Sequence, residues 1–309
     1  MSMRYQGGII LPGYNPLLVP DAPTIGTATG GGSSASVTFT APANVGGGAI
    51  TGFTVQAIKT SDSSTTGASG ASSPITVSGL TNGAAYTFKV FATNAYGPSP
   101  LSAASNSVTP AMQVGDAFGG GFFAGQIGVS GVATHNLVVG PLSSAQSTLA
   151  WKNANTATPN ADSDIDGPQN TADMVADGNS TVYPCAHFCN DLTTGGQTDW
   201  YMPAKNELEV CYYNLKPTTT ANDTTVSGIN PNSVPARTSN YTSGDPARTT
   251  ATNFRSSGSE PFAADTYWCS TEHPTFSGEA RYQVFSNGTQ NRGDKTSSYR
   301  VRAIRRVAV

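Results

Sequence analysis

The sequence predicts two folds in series: an all-β antiparallel sandwich over residues 21–110, then an α+β unit over 111–309. An arm over residues 1–20 precedes both. Short alternating apolar runs separated by Gly- and Ser-rich turns fill the first region. Apolar residues at helical spacing appear only in the second. Charged residues are 11% of the 309, against about a quarter in an average soluble protein. Ser, Thr, Asn, Gln and Gly must therefore supply most of the polar surface.

The arm is apolar and interrupted by Pro12 and Gly13. It is too short to build a core, yet Ile9, Ile10, Leu11, Leu17, Leu18 and Val19 are too apolar for a free tail. They are expected to anchor the chain against another subunit, the alternative being a disordered terminus. The opening residues lack the continuous apolar run and small-residue cleavage site of a signal peptide. No stretch approaches the roughly 20 apolar residues of a membrane span.

The sandwich reads strand by strand. Val37 and Phe39 alternate in the first clear run, Phe53, Val55 and Ala57 in the next, and Tyr86, Phe88, Val90 and Ala92 in the longest. The turns between them include NVGGGA (44–49) and the Ser-rich stretch 61–73. The stretch LTNGAAY (80–86), followed by FKVFATNAYGPSPLS (88–102), resembles the late strands of a fibronectin type III domain. The resemblance makes Tyr86 a corner tyrosine with its hydroxyl on backbone, and puts Phe39 where the family usually has Trp.

Strands are expected early in the second region, near residues 115–129 and 135–142, followed by a polar loop over 151–170. Helices are expected at 171–178, from about Pro184, and from Pro203, where a missing N–H is harmless in a first turn. In the last, Leu208, Cys211, Tyr212 and Leu215 share one face. Residues 216–265 show little periodicity. Three strands, at 266–272, 280–288 and 298–307, are expected to close the chain.

DWYMPAKNEL (199–208), YWCSTE (267–272) and VRAIRR (301–306) together resemble the Lcl-type C-terminal domain, from about Val114 to Val307. That family has a C-type-lectin-like fold and occurs in bacterial adhesins and phage structural proteins. Residues 214–250 look like its phage members, including those of cyanobacterial phages. Two positions depart from the family pattern: Ala204 stands where a helix-capping Ser is common, and Cys269 where Ser is common. The resemblance implies no catalytic nucleophile.

Candidate chemistry is sparse. Asp162, Asp164 and Asp166 precede Gly167 at the spacing that opens a calcium loop, with Asp173 at its twelfth position. They are the candidate Ca2+ ligands, and a solvated acidic turn is the alternative. Cys185, His187 and Cys189 supply only three zinc ligands at poor helical spacing. All four cysteines fall in the second region, and buried free thiols are the simplest reading. Glu260 and Glu272 could pair as glycosidase carboxylates, but nothing in the sequence fixes their separation.

Arg300, Arg302, Arg305 and Arg306 read either as partners for acids such as Glu207 and Glu272 or as a patch for anionic polysaccharide. Aromatic candidates for sugar stacking are Trp200, Tyr201, Tyr241, Tyr267, Trp268 and Tyr282. Trp200 and Trp268 belong to the signature and are expected in the core. Tyr241 and Phe254, on the long loop, are expected to be exposed, and with Arg237, Arg248 and Arg255 they are the predicted binding residues.

The formal charge is −3, with no basic tail for nucleic acid. The weakly charged, hydrogen-bonding surface is that of exported or virion-exterior β-proteins. A chain of extracellular composition without a secretion signal fits a phage protein released by lysis, or else a bacterial surface protein whose export signal lies elsewhere. The expectation is a non-enzymatic virion exterior protein of a tailed phage: a tail fibre, neck or other appendage, built on other virion proteins as a homo-oligomer and presenting a head for host-surface polysaccharide. The alternative is a decoration or connector subunit whose head binds other capsid or tail proteins. No cofactor is required beyond the candidate Ca2+.

Overall fold

The computed structural model describes residues 18–309. The chain divides into two compact units, with the boundary between Gln113 and Val114.

The first unit contains β1 (Thr24–Gly31), β2 (Ser34–Thr40), β3 (Gly52–Lys59), β4 (Thr65–Gly70), β5 (Ile75–Ser78), β6 (Tyr86–Asn94) and β7 (Gly97–Pro98). They form two sheets, ordered β1-β2-β5 and β4-β3-β6-β7. Alternation sends Val37, Phe39, Phe53, Val55, Ala57, Tyr86, Phe88, Val90 and Ala92 into one core. The Phe39 and Phe53 rings meet at 4.8 Å. The Tyr86 hydroxyl accepts the Thr81 backbone N–H at 3.1 Å, as the corner tyrosine requires.

Past β7 the sequence PSPLSAAS cannot continue a regular ladder, because Pro98 and Pro100 lack N–H donors. Serines take over. The hydroxyls of Ser99, Ser102 and Ser105 accept the N–H groups of Ala92, Val90 and Phe88 at 3.0 Å each. The same serines donate their own N–H groups back to those residues. Of the predicted anchor residues, Leu18 and Val19 are described. The Leu18 N–H donates to the Gly46 carbonyl at 2.8 Å, tying it to this unit, while both side chains stay exposed. Ile9, Ile10, Leu11 and Leu17 lie outside the described residues.

The second unit contains β8 (Ala117–Phe118), β9 (Gly121–Val129), β10 (Val132–Val139), α1 (Leu142–Ala145), β11 (Gln146–Ala150), α2 (Gly167–Asp177), α3 (Pro184–Asn190) and α4 (Lys205–Leu215). It continues with β12 (Ser233–Val234), β13 (Thr266–Glu272), β14 (Glu279–Val284), β15 (Gln290–Asp294), β16 (Ser298–Arg302) and β17 (Ile304–Ala308). One sheet runs β12-β9-β10-β17 with β8 on β9, the other β11-β16-β13-β14-β15. Helix α4 packs against β9, β13 and β14.

Three expectations need correction here. The last strand is two: Ala303 donates its N–H to the Ala145 carbonyl at 2.8 Å, and the chain passes from one sheet to the other around it. Helix α4 starts at Lys205, not Pro203. The Glu207 carboxylate accepts the Ala204 N–H at 2.8 Å, a cap supplied from the third helical position in place of the missing capping Ser. The helix is also buried on more than one face: Asn206, Glu207, Glu209 and Val210 are as covered as Leu208, Cys211, Tyr212 and Leu215, because sheet strands lie against it on both sides. Trp200 and Trp268 are in the core, as their place in the signature predicts. Among the described residues, no helix is long and apolar enough to cross a membrane.

Candidate functional site

Residues 216–265 connect α4 to β13 with almost no regular structure. A free segment of this length would be disordered, and this one is held by polar anchors. Glu209, fully buried on α4, is the first. It accepts the Tyr241 hydroxyl at 2.7 Å, the Asn230 amide at 2.6 Å and the Arg237 Nε at 3.2 Å. The Arg237 guanidinium also stacks on the Tyr213 ring, 4.0 Å from its centroid. Lys216, at 1% exposure, is the second anchor. Its ammonium donates to the Thr220 carbonyl, the Asn222 amide oxygen and the Pro246 carbonyl at 2.6, 2.5 and 3.2 Å. Burial lowers its pKa.

The predicted binding residues therefore fall differently from expectation. Tyr241 is 4% exposed and Phe254 fully buried; neither is a surface platform. An ordered loop of this length must supply its own core, and aromatic rings bring the most apolar area per residue. The Phe254 ring packs edge-on against Phe122 at 5.5 Å. Arg237 is committed to Glu209. Arg255 donates to the Thr249 and Thr250 carbonyls at 3.1 and 3.4 Å. Only Arg248 is exposed. The five do not form one site.

The loop instead walls a groove of about 450 Å3 for which the sequence carries no signal. Val226, Ile229 and Pro231 come from the loop, Asp164, Lys205 and Asn206 from the segment before α2 and the start of α4, and Arg281, Gln290 and Asn291 from the β14–β15 hairpin. Val226 is 72% and Ile229 52% exposed. Gly228 fixes the loop here. Its φ is +116°, and a Cβ would stand 2.6 Å from the Tyr241 ring and backbone, so a side chain is excluded on both counts. The Gly228 N–H donates to Gln290 Oε1 at 3.3 Å.

The other candidate constellations have their groups engaged elsewhere. Asp166 caps α2 by accepting the Gln169 N–H at 3.3 Å. Asp164 pairs with Lys205 at 3.0 Å, Asp173 accepts from the Gln169 side chain at 2.9 Å, and Asp162 is exposed. The four do not converge, and among the described residues no three His, Cys, Asp or Glu side chains gather to hold a metal. All four cysteines are free and buried. Burial holds the Cys185, Cys189 and Cys211 thiols well above the ordinary range and pushes Cys269 up to about 12, the opposite of an activated nucleophile.

Glu260 meets buried Arg302 at 2.8 Å, and Glu272 meets buried Lys295. The basic residues of the last strands are spent in the same way: Arg300 on Asp265, Arg305 on Asp199 and Arg306 on Glu207. The ion-pairing reading of that patch holds for Glu207, while Glu272 has Lys295 as its partner instead.

Residues 21–108 match the family of the fibronectin type III domain and form such a domain. Similar solved structures include domains A168–A170 from titin, at 28% identity over 30% of this chain and 32% of that one, TM-score 0.29. Others are the twitchin kinase region from C. elegans (22%, covering 30% and 17%, TM-score 0.29) and the FN5 domain of Drosophila Lar (24%, covering 30% and 98%, TM-score 0.25). The chain spans about a third or less of the first structures it matches. Among curated proteins there is no match to it.

Proposed function

We propose that the chain is an exterior structural component of a tailed-phage virion, in which the fibronectin type III domain is a spacer and residues 114–309 are a C-type-lectin-like recognition head. The observation that carries this reading is the long loop, pinned through Glu209 and Lys216 and holding exposed Val226 and Ile229 over a polar groove. Loops held in place by a rigid scaffold are where binding surfaces are commonly built. The antiparallel pairing of the last strand, β17, with β10 near the start of the unit supports the lectin-like fold. The engaged carboxylates and protonated thiols support a binding role over catalysis. Many copies on one particle would turn weak single contacts into avid attachment.

The test is adsorption of the labelled full-length protein to bacterial cells, in competition with whole phage. Saturable adsorption that competes with phage is expected. Folded protein that neither adsorbs nor competes would replace this reading with the connector one, in which the head binds other virion proteins.

A further inference from the structure

Among the described residues, Arg281 differs from every other arginine of this unit that is not exposed. It lies on β14 directly opposite Arg292 of β15. Arg292 is fully employed: it pairs with Glu279 at 2.5 Å and lies 3.9 Å over the Phe276 ring. Arg281 is half-buried and, among the described residues, has neither an ion-pair partner nor a side-chain hydrogen bond; its Nε is covered and unpartnered. Two neighbours in the same groove share the condition. The Gly228 N–H can only donate, so it fixes Gln290 Oε1 toward the loop and leaves Nε2 as a donor without an acceptor. Asn206, 4% exposed, donates its amide to Asn232 at 2.9 Å while its Oδ1 has no donor.

A groove lined by a guanidinium with no internal partner, beside enclosed amide atoms that offer it no acceptor, suits a ligand that answers that charge. Lys205 and Asp164 neutralise each other at its edge, so the surplus charge is the single one on Arg281. Exposed Val226 and Ile229 flank the polar floor. We infer that this groove binds a carboxylate-bearing sugar, a uronic acid unit of an acidic polysaccharide. Its carboxylate takes the planar fork of Arg281, and the C–H face of the ring lies on Val226 and Ile229. A neutral sugar would leave Arg281 unanswered. A polyphosphate would meet Asp164 and too few cations. The volume lies within the roughly 300–1,000 Å3 of small-ligand sites. This inference rests on the recognition reading above and names the ligand class of that head.

The experiment measures binding of the full-length chain to oligomers of glucuronate, galacturonate and mannuronate, to their methyl esters and to dextran sulfate. At least one uronate should bind saturably, with its methyl ester and dextran sulfate tenfold or more weaker. Arg281→Gln should weaken binding tenfold or more, Arg281→Lys less, and Lys89→Gln in the other unit not at all. A melting curve checks that each variant is folded. If Arg281→Gln does not fold, Gln290→Glu, which sets a carboxylate beside Arg281, should abolish uronate binding in its place. Equal binding of the methyl ester, undiminished binding by a folded Arg281 variant, or no binding to any of the three uronates overturns the inference. If the chain still adsorbs to cells in that case, the recognition reading stands and only its ligand class falls; a chain that binds neither cells nor uronates overturns both.

Discussion

The interior of the fibronectin type III domain is made of Val37, Val55, Val77, Phe88 and their neighbours, and among its described residues no charged side chain is fully buried. The interior of residues 114–309 holds Glu207, Glu209, Lys216, Lys295 and Arg302 at 1% exposure or less. The two units solve different problems. In the first, strands alternate, so burial follows from period two alone. In the second, long segments without periodicity must be fixed to a scaffold, and buried charges with several hydrogen bonds each do that. Glu207 shows the density of such a node: it accepts the Tyr201 hydroxyl at 2.5 Å, the Ala204 and Gly167 N–H groups at 2.8 and 3.2 Å, and the Arg306 Nε at 2.7 Å. Burial raises its pKa, with Arg306 opposing the rise. A buried pair of this kind contributes little net stability against an apolar replacement but is strongly missed when one partner goes.

That difference sets the largest expected effects. Arg237→Met strands the fully buried Glu209 carboxylate and should cost about 3–5 kcal/mol. Urea titration should show the loss, proteolysis should cut within residues 216–265, and Cys211 on α4 should become open to alkylation. Phe88→Ala should cost a similar amount, about 3–5 kcal/mol, while leaving Cys211 protected and the long loop uncut. If Arg237→Met melts as the parent does, Glu209 is not what holds the loop, and the contrast between the two interiors fails at its strongest point. A smaller effect is expected from Tyr86→Phe. It removes one hydrogen bond to the Thr81 N–H without opening a cavity, and should lower stability by about 1 kcal/mol. A change near zero would mean that the corner is held by the Tyr86 ring rather than by its hydroxyl.

The same contrast explains what the sequence made legible. Alternation identified the core faces of β2, β3 and β6 residue by residue, because in a two-sheet sandwich the period of two is the burial pattern. The helices near 171, 184 and 205 were visible from apolar spacing and prolines, although the capping carboxylates moved two of the starts: Asp166 begins α2 at Gly167, and Glu207 caps α4 from within. The groove was not legible. Arg281 and Arg292 occupy equivalent places in a strand pair, and only the position of Glu279 decides which of them is matched. Tyr241 and Phe254 misled for a related reason. Position on a loop suggested exposure, whereas the loop is ordered because those rings are buried. β15 was missed because Gln290, Asn291 and Arg292 carry no apolar alternation.

The smallest expected effect bears on whether the charges of the second unit are all spent internally. Asp162, Asp164, Asp166 and Asp173 have the spacing of a calcium loop, and a calcium ion needs about 6–8 oxygens converging on it. Here the helix cap, Lys205 and the Gln169 amide each take one of these carboxylates in a different direction. Asp166 also stands 3.8 Å from Arg306, which is itself held by Glu207. Releasing Asp166 to a metal would uncap α2 and remove a carboxylate from that cation, so the ion would have to repay both before it stabilised anything. Binding at a hundredfold over the dissociation constant would add about 2.7 kcal/mol, which for a unit of this size is a shift of several degrees and easily seen. Melting curves in calcium and in chelator are therefore expected to superimpose. A rise with calcium would mean that the acidic turn rearranges, and that the second unit takes part of its order from an ion rather than from its own buried pairs.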